Sequence, residues 1–540
     1  MRRKRLPTQR GGRSHHRPAK GSHTIRVNSP QPVDAFDQAS LEAFTSELVA
    51  AGFEPVPETL QREWTGPIHH ALAPLTDADR MRILIRDGWP VTYPYLFADG
   101  LHTNHLTDYG YVCLWHEGDG SQDWVTLEGF FNRLAQWSHD AQHGWDPAGL
   151  ARDAQLNFRK KHSAVATFDL EELQLGRPGT WGSFHGEMLH EGRVNLRPRP
   201  PSQSQHLSGL WFRTGPLDVP PRNLYELQQS LNRSQARGLS DKLASRRQDR
   251  VLEPSGSVDL ILLCWDRDNL PLVLVLALEG IGDDIAALAL QPGPTDKDSL
   301  LLRAGPDANL LQDKTVIAFG AGALGGHVAL ALAESGITRL LLADSDMLLP
   351  ENAVRHVVGH QGSGIPKSLA LKFAIRDHAP WTDTDPLPSV PLTPDALGSA
   401  IADADLVVDS TGNEALTRAI SLSAAAHDKR VVSGALYRGG AVARVQRQGA
   451  PRDTPILERR PECGYELIPP GNDDDMIQPA IGCSGPVHNA PPAIVLATAA
   501  LIAEAAIDVL SERYLLPDEI IHVHRPLAGE PPFDKIGRLR

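Results

Sequence analysis

The sequence predicts an α/β protein in which a nucleotide-binding parallel sheet follows an N-terminal α+β domain. From Lys314 onward a buried strand, a glycine-rich turn and a helix succeed one another, which is how a βαβ unit begins. A helix, short strands and an irregular aromatic segment occupy the first 150 residues. The length of 540 residues exceeds what one hydrophobic core usually holds, so several domains are expected.

The composition is that of a globular chain in a reducing compartment. The net charge of -13 argues against a dedicated nucleic-acid coat. Four cysteines in 540 residues are too few for a disulfide framework, so we expect a cytoplasmic protein. No apolar run approaches the roughly 20 residues of a membrane span, because Glu504 and Asp508 interrupt the longest helical candidate, Ile494 to Leu510. We therefore expect neither nucleic acid nor a membrane as a partner.

The first 150 residues predict a tail followed by one α+β domain. Residues 1–30 are basic and contain no apolar signal segment, so they are predicted to form a flexible tail. Residues 31–150 carry the elements of a domain, in chain order a helix over Asp37–Ala51, strands over Thr65–Leu72 and Arg80–Arg86, a buried segment over Tyr111–Trp115 and a helix over Trp124–His139.

Residues 151–305 form a middle domain whose pattern is less specific. A proline-rich stretch over residues 195–222 indicates an exposed boundary or an insertion. Val258–Trp265 and Leu270–Leu278 are apolar on both faces, which is typical of strands in a buried sheet. Cys264 lies inside the first of these strands and is predicted to be a core residue.

The glycine-rich turn after Phe319 predicts a nucleotide site. Gly320, Gly322 and Gly325 allow the backbone to approach a phosphate, and the following helix supplies N–H donors. The next strand ends at Asp344 and Asp346, where a carboxylate can bind a ribose hydroxyl. These features suit NAD as well as ATP.

Two cationic residues beyond the acids favour a triphosphate. Arg355 and Lys367 lie twelve positions apart just past Asp346. A dehydrogenase has no need for this pair, whereas an adenylating site must neutralise the departing pyrophosphate.

These motifs resemble the ThiF, MoeB and ubiquitin-activating-enzyme adenylation family, whose hallmark is a glycine-rich turn, Asp-x-Asp, then Asn, Arg and Gly-x-Pro-Lys. The resemblance runs from about Lys314 to Leu510 and implies a Rossmann-like adenylation domain over residues 306–540 that uses ATP and Mg²⁺. It assigns the ribose to Asp346 and phosphates to Asn352, Arg355 and Lys367. The sequence departs from the family at Gly412, where an Asp near the magnesium is usual, and Asp409 is the candidate to take over that metal role.

The cysteines distinguish branches of this family. No Cys-x-x-Cys pair is present, so the structural zinc site of some members is not expected. Cys463 and Cys483 lie in the proline- and glycine-rich segment where ubiquitin-activating enzymes place the cysteine that attacks the acyl-adenylate. We prefer Cys483, because Gly-Cys-Ser before a long closing helix is similar to bacterial activating enzymes, and Cys463 remains the alternative.

Cys113 lies in a context that resembles the ubiquitin-conjugating fold. The resemblance rests on a Tyr-Pro turn, a motif close to His-Pro-Asn and a following Cys-Leu, here Tyr93-Pro94-Tyr95, His102-Thr103-Asn104 and Cys113-Leu114. Thr103 replaces the usual proline. By this resemblance Asn104 would stabilise the oxyanion while a lysine attacks the thioester on Cys113.

The combination of the two domains resembles the conjugating–activating fusion family of type II CBASS antiphage operons. That resemblance implies a middle domain that is adenylation-like but inactive, or a linker. It also implies adenylation of a partner's C-terminal carboxylate, a thioester relay to Cys113, and ligation to an amine such as lysine. The expected partner is a ubiquitin-like protein or a cGAS-like nucleotidyltransferase, and the expected assembly is a homodimer. Three alternatives stay open: a sulfur-carrier adenylyltransferase, an NAD-dependent oxidoreductase and an inactive scaffold.

Overall fold

The computed structural model divides the chain into two compact units, Met1–Gly293 and Pro294–Arg540. It describes residues 31–101, 103, 105–107, 110–115, 120–144, 154–158, 160–190, 192–202, 206–217, 219–267, 270–459, 476–477 and 487–539. Each unit combines helices with sheet, so the predicted mixed α/β class is confirmed. The predicted tail over residues 1–30 lies outside the described residues.

Residues 31–144 of the N-terminal unit pack two helices against a four-stranded antiparallel sheet. Its strands are β1 (Glu54–Pro55), β2 (Glu63–Pro67), β3 (Arg80–Leu84) and β4 (Tyr95–Ala98), in that spatial order. Helix α1 (Gln38–Ala50) begins where the Asp37 carboxylate accepts the Ser40 N–H. Helix α2 (Leu127–His143) buries one face in the same core as α1. The predicted helices and strands are present with shifted ends, and residues 68–72 form turns rather than a strand.

The rest of the N-terminal unit is built around a closed barrel of seven strands. The strands are β5 (Lys161–Phe168), β6 (Trp181–His190), β7 (Arg193–Arg197), β8 (Leu207–Arg213), β9 (Leu260–Arg267), β10 (Leu270–Glu279) and β11 (Ala286–Pro294), and the short helices α3 (Ala154–Asn157), α4 (Leu170–Leu173), α5 (Leu224–Ser230) and α6 (Arg233–Leu243) accompany them. The order is β10-β11-β5-β7-β6-β8-β9, and β9 pairs with β10 to close the ring.

Both faces of the barrel wall are buried where α5 and α6 cover it. Apolar side chains from all seven strands, among them Phe184 and Ala277, fill the interior. Alternate residues such as Leu276 pack outward against the helices. This two-sided burial explains the continuous apolar runs of β9 and β10, and it places Cys264 in the interior at 1% exposure, as predicted.

The barrel differs from an adenylation-like middle domain. An adenylation domain is built on a doubly wound parallel sheet, whereas only two of six strand pairs in this barrel are parallel, β5 with β7 and β8 with β9. Most neighbours, including β9 and β10, run antiparallel. The described part of residues 151–305 therefore has a different topology from the doubly wound sheet that the adenylation-like expectation implies.

The C-terminal unit contains an eight-stranded sheet that begins with five parallel strands. Its strands are β12 (Thr315–Phe319), β13 (Arg339–Ala343), β14 (Asp383–Leu387), β15 (Leu406–Asp409), β16 (Val431–Tyr437), β17 (Val442–Gln448), β20 (Glu519–Val523) and β21 (Gly537–Arg538), with a separate two-stranded sheet of β18 (Met476–Ile477) and β19 (Val487–His488). The helices are α7 (Lys297–Leu301), α8 (Ala308–Leu311), α9 (Ala323–Glu334), α10 (Lys367–His378), α11 (Pro394–Ile401), α12 (Glu414–Ala426) and α13 (Pro492–Leu510).

The strand order places a crevice between β12 and β15. The order is β14-β13-β12-β15-β16-β17-β20-β21, so the chain builds outward from β12 in one direction and then continues from β15 in the other. At such a switch point the loops after the two central strands separate, and ligands of parallel α/β sheets bind there. The glycine-rich turn follows β12 and the Asp409 segment follows β15.

Helix α13 is a core helix of the C-terminal unit. By length and composition alone its 19 residues, with a mean hydropathy of 2.1, would suffice to cross a membrane, although Glu504 and Asp508 interrupt the apolar run as the sequence indicated. The helix packs against α9 and the sheet through Ile502, Ala506 and Val509, which are fully buried. Its Asp508 carboxylate lies 3.2 Å from the Arg447 guanidinium, and both side chains are buried.

Candidate functional site

The glycine-rich turn is held in a conformation that only glycine permits at two positions. Gly320 has a φ of 92°, and a Cβ on Gly325 would lie 1.8 Å from the Gly320 carbonyl oxygen. Helix α9 begins at Gly322, which has no side chain to cap the first turn. The amides of that turn lack intrahelical partners and form the positive end of the helix dipole. The turn therefore offers N–H donors to an anion.

Asp344 fixes this turn from the end of β13. Its Oδ2 accepts the Ala321 N–H at 2.7 Å, and its Oδ1 accepts the Asp346 N–H at 2.8 Å. The carboxylate thus joins the turn after β12 to the segment after β13. Sequence analysis predicted Asp344 as a nucleotide contact, and in the structure its observed contacts are with the backbone.

Asp346 and Lys367 meet although 21 positions separate them. The segments that carry them run side by side, since the Leu348 N–H donates to the Ile365 carbonyl and the Lys367 N–H donates to the Asp346 carbonyl. As a result Lys367 Nζ lies 2.7 Å from Asp346 Oδ2. The lysine side chain is mostly buried, whereas the carboxylate of Asp346 is 65% exposed. The structure therefore places an ammonium group and an accessible carboxylate together beside the crevice.

Asn352 and Arg355 lie on the connection between Asp346 and Lys367. Pro350–Asn352 forms a short 3-10 turn in which Asn352 Oδ1 accepts the Leu349 N–H at 2.9 Å. Arg355 follows in the next turn and is half-buried. The amide of Asn352 orders this connection, and His356, the residue after Arg355, contacts the glycine-rich turn.

His356 is the residue of this region that sequence analysis missed. It is 7% exposed, and its Nε2 lies 2.7 Å from the carbonyl oxygen of Ala321. Burial lowers its pKa from the usual 6.5, and the nearby Lys367 and His327 lower it further. A single histidine in an irregular loop has no periodicity or spacing that would single it out, so only the fold reveals this contact.

The carboxylate of Asp409 is saturated with hydrogen bonds from its own chain. Its Oδ1 accepts the N–H and the hydroxyl of Thr411 at 3.1 and 2.8 Å. Its Oδ2 accepts the hydroxyls of Thr417 and Ser433. A carboxylate offers about four lone-pair sites, so Asp409 as placed has no lone pair left for a metal. The predicted metal role of Asp409 would require one of these donors to be displaced.

The segment after Asp409 lines the crevice opposite the glycine-rich turn. A Cβ on Gly320 would lie 2.8 Å from the backbone of Ser410, so the two loops touch. The Ser410 hydroxyl is buried and has no hydrogen-bond partner among the described residues. Gly412 has a φ of 63°, and a Cβ added there would meet no heavy atom within 4 Å. An unpartnered hydroxyl and open N–H donors are features that a bound phosphate would satisfy.

Magnesium has no preformed cage in the part of the chain that the structure describes. No group of three or more His, Cys, Asp or Glu side chains there is arranged to hold a metal ion. The residues present therefore fit the phosphates of a nucleotide better than a free metal ion. Magnesium that enters with its phosphates usually keeps several waters and takes one or two carboxylates, and Asp346 is the exposed carboxylate here.

Cys113 lies in the N-terminal unit within a half-buried aromatic environment. Its N–H donates to the His105 carbonyl at 2.9 Å, and the Tyr111 ring stacks on Tyr95 at 3.8 Å. Burial raises the pKa of the Cys113 thiol, and the charge of Lys161 opposes that rise. The thiol is half-buried and is not one of the fully buried core side chains of this domain. Its environment therefore keeps it protonated at neutral pH.

Three predicted catalytic residues lie outside the described residues: Asn104, Cys463 and Cys483. The chain on either side of the cysteine segment is described up to Arg459 and again at β18 and β19. Met476 pairs with His488, and these two residues flank the segment that contains Cys483. The choice between Cys463 and Cys483 stays a prediction.

The C-terminal unit, which contains the crevice, also matches a known protein family. A model of the ThiF family matches residues 301–516, so the C-terminal half of this chain contains a ThiF-family domain. The strand–turn–helix order, the paired acids and the Gly-x-Pro-Lys segment from which the resemblance was inferred all lie inside this match.

Individual relatives match parts of the chain. It is 30% identical over 201 residues to the uncharacterized protein y4oA of Sinorhizobium fredii, across 34% of this chain and 33% of that protein. It is 30% identical over 125 residues to the ATP-dependent ubiquitin transferase-like protein Cap2 of Pseudomonas aeruginosa, across 22% of each. A crystal structure of E. coli MccB with ATP aligns with 43% of this chain and 64% of that one, at 15% identity and a TM-score of 0.31. Each match spans less than two thirds of the relative's length.

Proposed function

We propose that the C-terminal unit uses ATP to adenylate the C-terminal carboxylate of a protein partner. The observation that carries this proposal is the pairing of Lys367 with Asp346 beside the uncapped N-terminus of α9. An ammonium group and helix amides suit the phosphates, and an exposed carboxylate suits the ribose hydroxyls. The ThiF-family match supports an adenylating enzyme over a dehydrogenase.

The chemistry assigned to these residues is nucleotidyl transfer. A carboxylate oxygen of the partner attacks the α-phosphorus of ATP, a new P–O bond forms, and the bond to the bridging oxygen breaks, so pyrophosphate leaves. Arg355 and Lys367 stabilise the negative charge that grows on the leaving group. Magnesium would add further positive charge to the phosphates. Asp344 and the glycine pair hold the turn so that the amides of α9 need not reorganise during the reaction.

We propose further that the acyl group moves through two cysteines. The thiolate of Cys483, or of Cys463, attacks the acyl-adenylate and releases AMP, and the Cys113 thiolate then takes the acyl group by thioester exchange. An amine, such as a lysine, attacks last and forms an amide while Cys113 leaves as a thiolate. A helix followed by a four-stranded antiparallel sheet and then Cys113 supports a ubiquitin-conjugating-like domain here.

The protein partner that donates the acyl group is proposed from the names of the relatives. Proteins named ATP-dependent ubiquitin transferase-like Cap2 in Pseudomonas aeruginosa and Vibrio cholerae match this chain in part. A ubiquitin-like protein or a cGAS-like nucleotidyltransferase is accordingly the proposed acyl donor, in the cytoplasm and in a homodimeric enzyme. Antiphage defence is the proposed biological role.

The test combines two assays on the full-length chain with candidate partners from its own operon. ATP–pyrophosphate exchange measures adenylation, and non-reducing electrophoresis detects a thiol-sensitive adduct. Wild type is compared with Cys113→Ala, Cys463→Ala and Cys483→Ala, and Cys264→Ala is the control, because that thiol is sealed in the barrel interior.

Each outcome assigns a different function. An ATP-dependent adduct that reaches Cys113 in wild type but not in Cys483→Ala establishes the relay through Cys483. The relay is contradicted if Cys113→Ala retains ATP–pyrophosphate exchange and wild type forms no adduct on Cys113. That result favours a sulfur-carrier adenylyltransferase. Binding of NAD without binding of ATP contradicts adenylation itself.

A further inference from the structure

His356 connects the Arg355 segment to the glycine-rich turn through both nitrogens of its ring. Nε2 lies 2.7 Å from the Ala321 carbonyl oxygen, and Nδ1 lies 3.0 Å from the backbone nitrogen of Val358. A carbonyl only accepts and an N–H only donates, so Nε2 carries the proton and Nδ1 accepts. These contacts define the neutral Nε2-protonated tautomer.

The Ala321 peptide is therefore held from two sides. Its N–H donates to Asp344 and its carbonyl accepts from His356. Because the carbonyl is engaged by a side chain of another segment, the first turn of α9 cannot rotate without breaking this contact. A second imidazole, that of His327 on α9, also lies against the backbone of Arg355, which opposes the lowering of the His327 pKa by burial.

We propose that neutral His356 is a positioning residue for the nucleotide site and that its protonation weakens ATP binding. This inference rests on the proposed ATP-dependent function. His356 keeps the first turn of α9 and the segment that carries Arg355 in one arrangement, beside which the triphosphate is proposed to bind. It acts through the backbone of Ala321 and does not itself touch the nucleotide.

Protonation of His356 breaks this arrangement, because Nδ1 changes from a hydrogen-bond acceptor into a donor. A proton on Nδ1 would face the Val358 N–H at 3.0 Å, so two donors would meet. The charged groups around the ring are Lys367 on α10, His327 on α9 and Asp344 after β13, with Arg355 preceding it in the chain. Burial opposes the proton most strongly, the hydrogen bond to the Ala321 carbonyl favours it, the two nearby bases oppose it and Asp344 favours it. The pKa of His356 is thus lowered from 6.5, and the ring is neutral near pH 7.

The experiment measures the ATP dissociation constant of the full chain with MgCl₂ between pH 5.5 and 8.0, for wild type, His356→Gln, His356→Ala and His360→Gln. Glutamine keeps an N–H donor for the Ala321 carbonyl but does not titrate. We expect His356→Gln to bind within about threefold of wild type at pH 8, and His356→Ala to bind about tenfold more weakly, the cost of one hydrogen bond. The exposed His360 is the control and should behave as wild type.

The ratio of the ATP affinity of wild type to that of His356→Gln isolates the effect of His356 titration, because titration of the ATP phosphate affects both proteins equally. We expect this ratio to fall on acidification. A constant ratio overturns the proposal. A ratio that rises in acid also overturns it, because the imidazolium would then be a phosphate ligand.

Amide hydrogen exchange of residues 320–326 without nucleotide separates this inference from the proposed function. The proposal requires faster exchange in folded His356→Ala than in wild type at pH 7, and faster exchange in wild type at pH 5.5, after correction for the intrinsic rate. Unchanged protection overturns it. Absence of ATP binding by folded wild type at every pH, with the exchange result as expected, contradicts the proposed function alone.

Discussion

Gly325 packs so closely on Gly320 that a Cβ at position 325 would lie 1.8 Å from the Gly320 carbonyl oxygen. The first turn of α9 therefore rests directly on the backbone that leaves β12. We predict that Gly325→Ala lowers the stability of the C-terminal unit by about 1–3 kcal/mol, because backbone must shift to relieve the overlap.

The measurement is chemical denaturation, with Gly322→Ala as the steric control. Gly322 has no heavy atom near the position of an added Cβ and has a negative φ. Its alanine variant should unfold close to wild type. Equal stability of Gly325→Ala and Gly322→Ala would contradict the close packing.

Lys367 is expected to act on the leaving group more than on the fold. Removal of its ammonium by Lys367→Met should lower ATP–pyrophosphate exchange by about 10²–10³-fold, as loss of one charge-stabilising group does in other active sites. Lys372→Met on the same helix α10 is the matched control, because it removes an ammonium group that has no ion pair with Asp346. A similar loss in both variants would show that helix stability rather than phosphate contact is affected.

Asp409 is expected to be structural. Asp409→Asn should destabilise the C-terminal unit by about 1–3 kcal/mol, since the new NH₂ group would face hydroxyl or N–H donors that the carboxylate now satisfies. Denaturation measures this loss, and exposed Asp403→Asn is the control. If stability is unchanged while the magnesium dependence of ATP binding disappears, Asp409 is a metal ligand instead.

Acid should destabilise the protein below about pH 6.5. Burial lowers the pKa of His69, His185, His327, His356 and His524 from the usual 6.5. The unfolded chain then binds more protons than the folded chain between the lowered values and 6.5, so stability rises with pH through that window and is level above it.

The denaturation midpoint measured from pH 5 to 8 checks this dependence. His185→Gln and His524→Gln should each make the midpoint less sensitive to acid, whereas exposed His360→Gln should not. A midpoint that is constant or increases toward pH 5 would contradict the assignment of neutral buried histidines.

The local sequence pattern was sufficient to predict the strands, the turn and the helix that build the crevice. The run from Thr315 through the glycine-rich turn predicts a strand, a tight turn and a helix, because side-chain periodicity and glycine act over a few residues. The structure has β12, α9 and β13 in that order. The apolar runs of β9 and β10 predicted buried strands for the same reason.

The local sequence pattern could not predict contacts between segments that are distant in the chain. The barrel includes the pairing of β8 with β9, whose partners Gly209 and Leu260 are about fifty positions apart, and nothing local specifies such a partner. Likewise the hydroxyls of Thr417 and Ser433 that saturate Asp409 come from α12 and β16.

The sequence by itself determined the α/β order, the glycine-rich turn, the acids after β13 and the cationic pair Arg355 and Lys367, because residue type and short spacing encode them. Only the tertiary structure decided that Lys367 meets Asp346, that residues 161–294 form a barrel, and that His356 clamps Ala321. These depend on which surfaces pack together, and the burial that selects those surfaces is a property of the whole folded chain.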